Sequence, residues 1–364
     1  MQAADRRQDI AINGRFLTQK LSGVQRYSRE IVTAMDRLIQ YHPNSYGRSR
    51  WRLLLPAGAG SDLALQAIEV QSVGTRGGHM WEQRDLLRAA AGARLLNLGN
   101  SAPVLHRDKL VVIHDAAVFR TPANFGRNYR TAHKALGWAL SRTSRIATVS
   151  EFSRRELADV LRLHKESILL VRNACDHFVG RVPDESIIAS LGLEPQRYFL
   201  FVGSPAPNKN LAVLLQAFAR LQRPGAKLVI AGSLNGSVFG GQGAHAGEGV
   251  IVTSGRSDAE VAALYSHAAV HVFPSLYEGF GIPPLEAMAS GCPVIASDIP
   301  VTREVCGDAA SYFPPHDADA LAALMRRHWD APARDPRQQQ AAAARLTQFS
   351  WEASARSLIE AALA

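Results

Sequence analysis

Two carboxylates eight residues apart, Glu278 and Glu286, stand in the stretch SLYEGFGIPPLEAMASG that begins at Ser275. In one continuous helix, at about 100° per residue, they would lie near the same face. That helix is excluded, because Pro283 and Pro284 lack amide donors and clash with the preceding turn. Proline is welcome in a first turn. The stretch therefore predicts a loop carrying Glu278, then a helix starting near Pro283 with Glu286 in its first turns. A helix start beginning at the Gly281–Pro284 loop faces a phosphate well, a fixed carboxylate at Glu286 suits a ribose diol, and Glu278 suits sugar hydroxyls. A surface acid at a helix start accounts for Glu286 alone, but not for Glu278 flanked by Gly279 and Gly281.

A second cation-bearing turn lies at FVGSPAPNKNL, residues 201–211. A strand ends at Gly203, a turn follows and a helix begins near Lys209, so free amides and a full positive charge meet at one point. The plain alternative is a βα turn with a solvent lysine. The P-loop pattern GxxxxGK[ST] is absent. A third turn, INGRFLTQKLSGVQRY at 12–27, places Gly23 where backbone can approach a ligand closely. It lacks GxGxxG, which removes the main support for a dinucleotide oxidoreductase. In VVIHDAAVF, 111–119, His114 and Asp115 end a buried-type strand. There a histidine either donates to a substrate hydroxyl, with Asp115 orienting its loop, or is a core residue.

The elements that must position these residues read as an alternation. Strands are predicted at 9–13, 51–55, 93–98, 110–114, 145–149 and 167–171, with a helix over 24–39 and another at 151–162 after the N-cap Ser150. The pattern restarts with strands at 198–203, 227–232, 249–253, 270–274 and 292–297. Helices are predicted at Lys209–Arg220 and, from the capping box SDAE, at 257–267. Alternation of this kind implies parallel sheets covered by helices, and two runs imply two doubly wound α/β domains. Their ligands bind at the carboxyl ends of the strands. The join falls near 175–195, the glycine-rich 236–249 reads as a loop, and 317–364 reads as helices with a break near DAPARDP.

The chain has 364 residues, 47% hydrophobic, enough for two domains with sizeable cores. Its polar start, MQAADRRQDI, predicts no signal peptide, and no apolar run approaches the roughly 18 residues of a membrane span. Cys175, Cys292 and Cys306 show no metal-ligand spacing, so free thiols in a reducing, cytoplasmic setting are expected. The net charge of +9 is uneven. Residues 1–180 hold 27 Lys+Arg against 15 Asp+Glu, hence +12, and the remainder carries −3. A basic half suits an anionic membrane surface, a phosphate-bearing substrate or nucleic acid, or is simply an arginine-rich soluble surface. No RRM, KH or zinc-finger spacing supports nucleic acid.

Taken together, EGFGIPPLEAMASG, TVSEFSRREL (148–157), VRNACD (171–176), SDAEVAALYSHAAVHVFPS (257–275), IPVTREVCGDAASYF (299–313) and FSWEASA (349–355) resemble the retaining GT4 family of glycosyltransferases. Glu278 and Glu286 match its E-x7-E motif. The resemblance implies a GT-B fold, with two Rossmann-like domains facing across a cleft. Residues 1–180 would form an acceptor-binding domain, with 350–364 crossing back onto it, and 181–349 a donor-binding domain. It implies a nucleotide-sugar donor, no cofactor and no metal. Glu286 would bind the ribose and Glu278 the sugar, while Lys209 would hold the diphosphate. Gly23 would approach that diphosphate, and His114 would lie beside the sugar. Gly203, Ser204, Asn208, Gly279, Phe280, Gly281 and Ile282 would line the donor site. Arg256 would stack on the nucleobase or remain a solvent arginine. Many family members place arginine where this chain has Ser204 and Asn208, so Arg26 or another arginine of the first domain is expected to supply the missing cation on closure. The GVQRY, HD and NKNL variants resemble members that build bacterial surface polysaccharides. They imply a mannosyl- or rhamnosyltransferase using GDP-mannose or GDP-rhamnose, with dTDP-rhamnose or a UDP-sugar as alternatives. The implied acceptor is a saccharide or lipid-linked saccharide at the inner membrane face. A nucleotide-sugar epimerase of the same fold shares these features, and a glycoside hydrolase also uses two carboxylates.

Overall fold

The computed structural model describes residues 8–232, 247–332 and 334–364. Most of the glycine-rich 236–249 segment and of the polar start lies outside the described residues. The chain divides into two compact units, one of residues 1–173 with 350–364 and one of residues 174–349.

The first unit holds seven strands: β1 (Asp9–Asn13), β2 (Arg50–Pro56), β3 (Glu69–Val73), β4 (Arg94–Asn97), β5 (Lys109–Val112), β6 (Arg145–Thr148) and β7 (Ile168–Leu170). They form one sheet in the order β3-β2-β1-β4-β5-β6-β7, every neighbouring pair parallel. Central β1 is apolar on both faces, because helices cover both sides. The helix Gly23–Tyr41 turns Tyr27, Ile31, Met35 and Leu38 inward. Ser150 accepts a hydrogen bond from the Ser153 amide and caps the helix Glu151–Leu161. The last helix, Trp351–Leu363, belongs to this unit. Trp351 meets Tyr27 edge-on at 5.8 Å, and Ser354 Oγ donates to the Arg172 carbonyl at 2.6 Å. Arg94 and Arg145 each donate to its final carbonyls, Ala362 and Ala361, at 2.6 Å, where cations also complement the helix dipole.

The second unit holds β8 (Tyr198–Val202), β9 (Lys227–Ala231), β10 (Val250–Thr253), β11 (Val270–Phe273), β12 (Val294–Ser297) and β13 (Ala310–Phe313). Their order is β10-β9-β8-β11-β12-β13, again all parallel. Phe199, Phe201, Leu214, Ile230, Val272 and Trp329 anchor its core. Both strand orders reverse direction beside the first strand of the unit, which is the topological switch point where doubly wound sheets bind ligands.

Candidate active site

In the second unit, β8 is followed at once by Gly203, whose φ is +150°. A Cβ on neighbouring Gly232 would fall 1.9 Å from the Gly203 carbonyl oxygen, so the two strand ends pass at a distance only glycine allows. The chain then makes a 3-10 turn at Pro207–Lys209 and enters the helix Leu211–Ala219 through Asn210, left-handed at φ +52°. Asn208 ties this loop to the one after β11. Its side chain donates to the Tyr277 carbonyl at 3.1 Å, and its own carbonyl accepts from the Leu276 amide at 2.8 Å. The position where an arginine was expected is thus occupied by a clip between two loops. Ser204, the other such position, is exposed.

The clip brings Lys209 to Glu278 across 69 residues of sequence. Nζ donates to Oε1 at 2.6 Å, with the two side chains 19% and 12% exposed. Nζ also lies 5.5 Å from the centre of the Phe273 ring. A cation held this way at the strand ends is oriented and partly desolvated before any anion arrives, which strengthens its field there.

Gly281 caps the helix Ile282–Ala289 at φ +99°, and a Cβ there would come within 3.3 Å of the Phe273 ring. Pro283 and Pro284 occupy the first turn, as the sequence predicts. They also remove two of the amides such a turn would otherwise offer an anion, so Ile282 and the preceding loop supply what remains. Glu286 follows within the second turn, 7% exposed. Its Oε1 accepts from His177 Nε2 at 3.2 Å and its Oε2 from the Tyr265 hydroxyl at 3.4 Å. Tyr265 is wholly buried, and burial with the Glu286 charge beside it pushes its phenol well above the ordinary range. Glu286 is therefore a carboxylate fixed from two sides, with partners separate from those of Glu278. Phe280 is 2% exposed and packs edge-on against Phe349 at 5.3 Å, so it supports the loop from the core. Ile282 is likewise buried. Arg256 donates to Thr253 Oγ1 at 2.5 Å and to Glu260 Oε1 at 3.1 Å, which pins it at the end of edge strand β10.

In the first unit, Gly23 opens the helix Gly23–Tyr41, and a Cβ there would touch nothing within 4 Å. Arg26 NH1 lies 3.8 Å from Glu30 Oε1, one helical turn on. His114 is 5% exposed and donates through Nε2 to the Leu98 carbonyl at 2.9 Å, with Tyr27 edge-on at 4.8 Å. Burial lowers its pKa to about 4. At neutral pH the ring is uncharged, its one N–H is engaged, and Nδ1 is left as an acceptor. The donation to a substrate hydroxyl read from the sequence is therefore not available to it. Asp115 Oδ1 accepts from the Ala117 amide at 2.8 Å. Sequence reasoning missed His177 and Tyr265, although His177 directly follows VRNACD and Tyr265 lies inside SDAEVAALYSHAAV. Among the described residues no group of three His, Cys, Asp or Glu side chains is set to hold a metal. The three cysteines are free and buried, and burial raises the thiols of Cys292 and Cys306 to about 12.

Comparison with known proteins places these features in context. The family model of glycosyl transferases group 1 matches residues 183–347. O-antigen chain mannosyltransferase B of Escherichia coli is 33% identical over 262 residues, 67% of each chain. O-antigen chain mannosyltransferase RfbU of Salmonella typhimurium is 30% identical over 232 residues, 60% of each chain. The crystal structure of WaaG, a glycosyltransferase involved in lipopolysaccharide biosynthesis, superposes with a TM-score of 0.73 at 14% identity, covering 97% of this chain and 99% of that one. This last likeness carries the GT-B fold.

Proposed function

The chain belongs to the family of glycosyl transferases group 1 and is a hexosyltransferase, and from that premise we propose that it transfers mannose from GDP-mannose to a saccharide or lipid-linked saccharide in the assembly of a bacterial surface polysaccharide. The observation that carries the reading is the separation of the two acids. Glu278 pairs with Lys209, while Glu286 is fixed by His177 and Tyr265. Glu286, held from two sides, receives the ribose hydroxyls. Lys209 meets the diphosphate, and Glu278, released from Lys209 as the anion enters, takes a hydroxyl of the sugar. The mannosyl identity is favoured by both relatives, each an O-antigen chain mannosyltransferase.

The reaction is front-face transfer with retention. The acceptor oxygen bonds to the anomeric carbon on the face from which the phosphate oxygen leaves, and the acceptor proton passes to that departing oxygen. Negative charge grows on the leaving diphosphate. Lys209, the Ile282 amide and the dipole of the helix Ile282–Ala289 stabilise it without a divalent ion. His114 is a neutral acceptor at the end of β5. Residues 116–150 hold six Lys+Arg and no Asp or Glu, which favours a peripheral site on an anionic membrane for a lipid-linked acceptor. Among the described residues no helix is long and apolar enough to cross a membrane.

The testing experiment is a thermal-shift screen over GDP, UDP, dTDP and ADP, followed by product analysis with the matching mannose donor in EDTA. GDP should raise the melting temperature most, since a ligand of the native state stabilises it by mass action. Transfer abolished by EDTA and restored by a divalent ion, or a larger shift with UDP, contradicts the proposal.

A further inference from the structure

The first unit carries a second organised site. β1 and β4 lie side by side and end in Asn13 and Asn97, both buried. Asn13 Nδ2 donates to Asn97 Oδ1 at 3.0 Å and to Glu82 Oε1 at 2.8 Å. Ser101 Oγ donates to the same carboxylate oxygen at 2.9 Å and accepts from Arg15 at 2.9 Å. Arg15 Nε lies 3.6 Å from it. Glu82 is fully buried. Burial acts to raise its pKa, but His79, Arg15, Ser101 and Asn13 outweigh burial and hold it below the ordinary carboxylate range. A buried ionised group of this kind is seldom needed for stability, because apolar packing of the same volume does as well. It is also presented by a π-helical turn, Trp81–Leu86, a rare conformation frequently found at functional sites.

The second oxygen of Glu82 leads outward. Oε2 accepts from His79 Nδ1 at 3.2 Å, and the His79 side chain is 55% exposed. Among the described residues His79 Nε2 has no partner. The His79 ring lies edge-on to His133 at 6.2 Å. His133 stacks on Tyr129 at 3.9 Å, and Tyr129 stacks on Phe125 at 5.6 Å with the rings 9° apart. Tyr129 is half-exposed. A row of stacked aromatic rings thus adjoins a buried carboxylate, an imidazole and a guanidinium at the carboxyl ends of the strands. The rings cover one another's faces, so the row offers the exposed edge and hydroxyl of Tyr129. That edge and the fixed polar groups suit a pyranose and its hydroxyls, whereas a phosphate would meet the Glu82 charge.

We propose that the aromatic row Phe125–Tyr129–His133 and the His79–Glu82 pair form a saccharide-binding subsite. Resting on the transferase reading above, it is the subsite for the acceptor sugar. The exposed edge and hydroxyl of Tyr129, held by its stacking on His133, meet the sugar, and His79 Nε2 accepts from one of its hydroxyls. Glu82 is a positioning residue that fixes the tautomer and orientation of His79.

The test is saturation-transfer NMR and a binding titration on the full chain, with a mannotriose as probe. The wild type should show saturation of mannose ring protons. Tyr129→Ala and His79→Ala, both at half-exposed positions, should each raise the Kd about tenfold, as removal of a central contact does. Trp138→Ala, at an exposed aromatic elsewhere on the helix Arg127–Thr143, should bind as wild type. Absence of saturation in the wild type, unchanged binding in Tyr129→Ala and His79→Ala, or an equal loss in Trp138→Ala overturns the inference. GDP binding is measured on the same samples. A wild type that binds mannotriose in this pattern but not GDP supports this subsite while refuting the proposed donor.

Discussion

Lys209 Nζ and Glu278 Oε1 stand 2.6 Å apart, although 69 residues separate them in sequence. The sequence singles out each for a different reason, one at a βα turn and one in a loop before a proline-started helix. The Asn208 clip brings the two loops together. Removing the cation should act on turnover. Lys209→Ala is expected to lower kcat with GDP-mannose by about a hundredfold to a thousandfold, the usual effect of removing one preorganised group that meets transition-state charge. A steady-state assay checks this, and a variant within a factor of three of wild type would contradict it.

The Asn208 side chain makes one hydrogen bond to a backbone carbonyl in a partly buried place. Asn208→Ala should cost about 1 kcal/mol of stability, a fall in melting temperature of roughly 2–4 °C for a unit of this size. Thermal unfolding followed by circular dichroism reads it directly. No change would mean that the two loops hold together without the clip.

Gly281 carries a φ of +99° with the Phe273 ring 3.3 Å from where a Cβ would sit. Gly281→Ala should destabilise by about 1–3 kcal/mol, the range for a residue forced into a sparsely populated conformation. The measurement is the urea midpoint, and an unshifted midpoint would contradict the strain argument.

Burial lowers the pKa of His114 to about 4, His271 to about 3 and His328 to about 4. Unfolded, each takes up a proton near pH 6.5. Between these values the unfolded chain binds more protons than the folded one, so stability is fully present above about pH 6.5 and falls as pH drops toward 4. Urea midpoints at neutral pH and near pH 5 should differ in that direction. A midpoint equal or higher at the lower pH would show that these rings are not buried neutral.

The alternation of strands and helices was readable because buried parallel strands are short apolar runs. β3 was not, since it is an edge strand whose EVQSV is half exposed and alternates without an apolar run. β13 is four residues long and looks like loop in sequence. The proline-started helix at Gly281 was legible because proline and glycine act locally. The partners of Glu286 were not: His177 lies 109 residues away, and its contact follows from how the unit closes. Glu82 was invisible for the same reason, and its π-helical turn has no periodicity of its own to detect.

The central claim is that two acids eight residues apart serve different parts of one donor. It is tested most directly by measuring GDP affinity and GDP-mannose turnover in Glu286→Ala and Glu278→Ala. Glu286→Ala should weaken GDP binding by about tenfold or more, as loss of a hydrogen bond to a charged group does, with a smaller effect on kcat. Glu278→Ala should leave GDP affinity near wild type and lower kcat. Equal effects of both substitutions on both quantities would contradict the account.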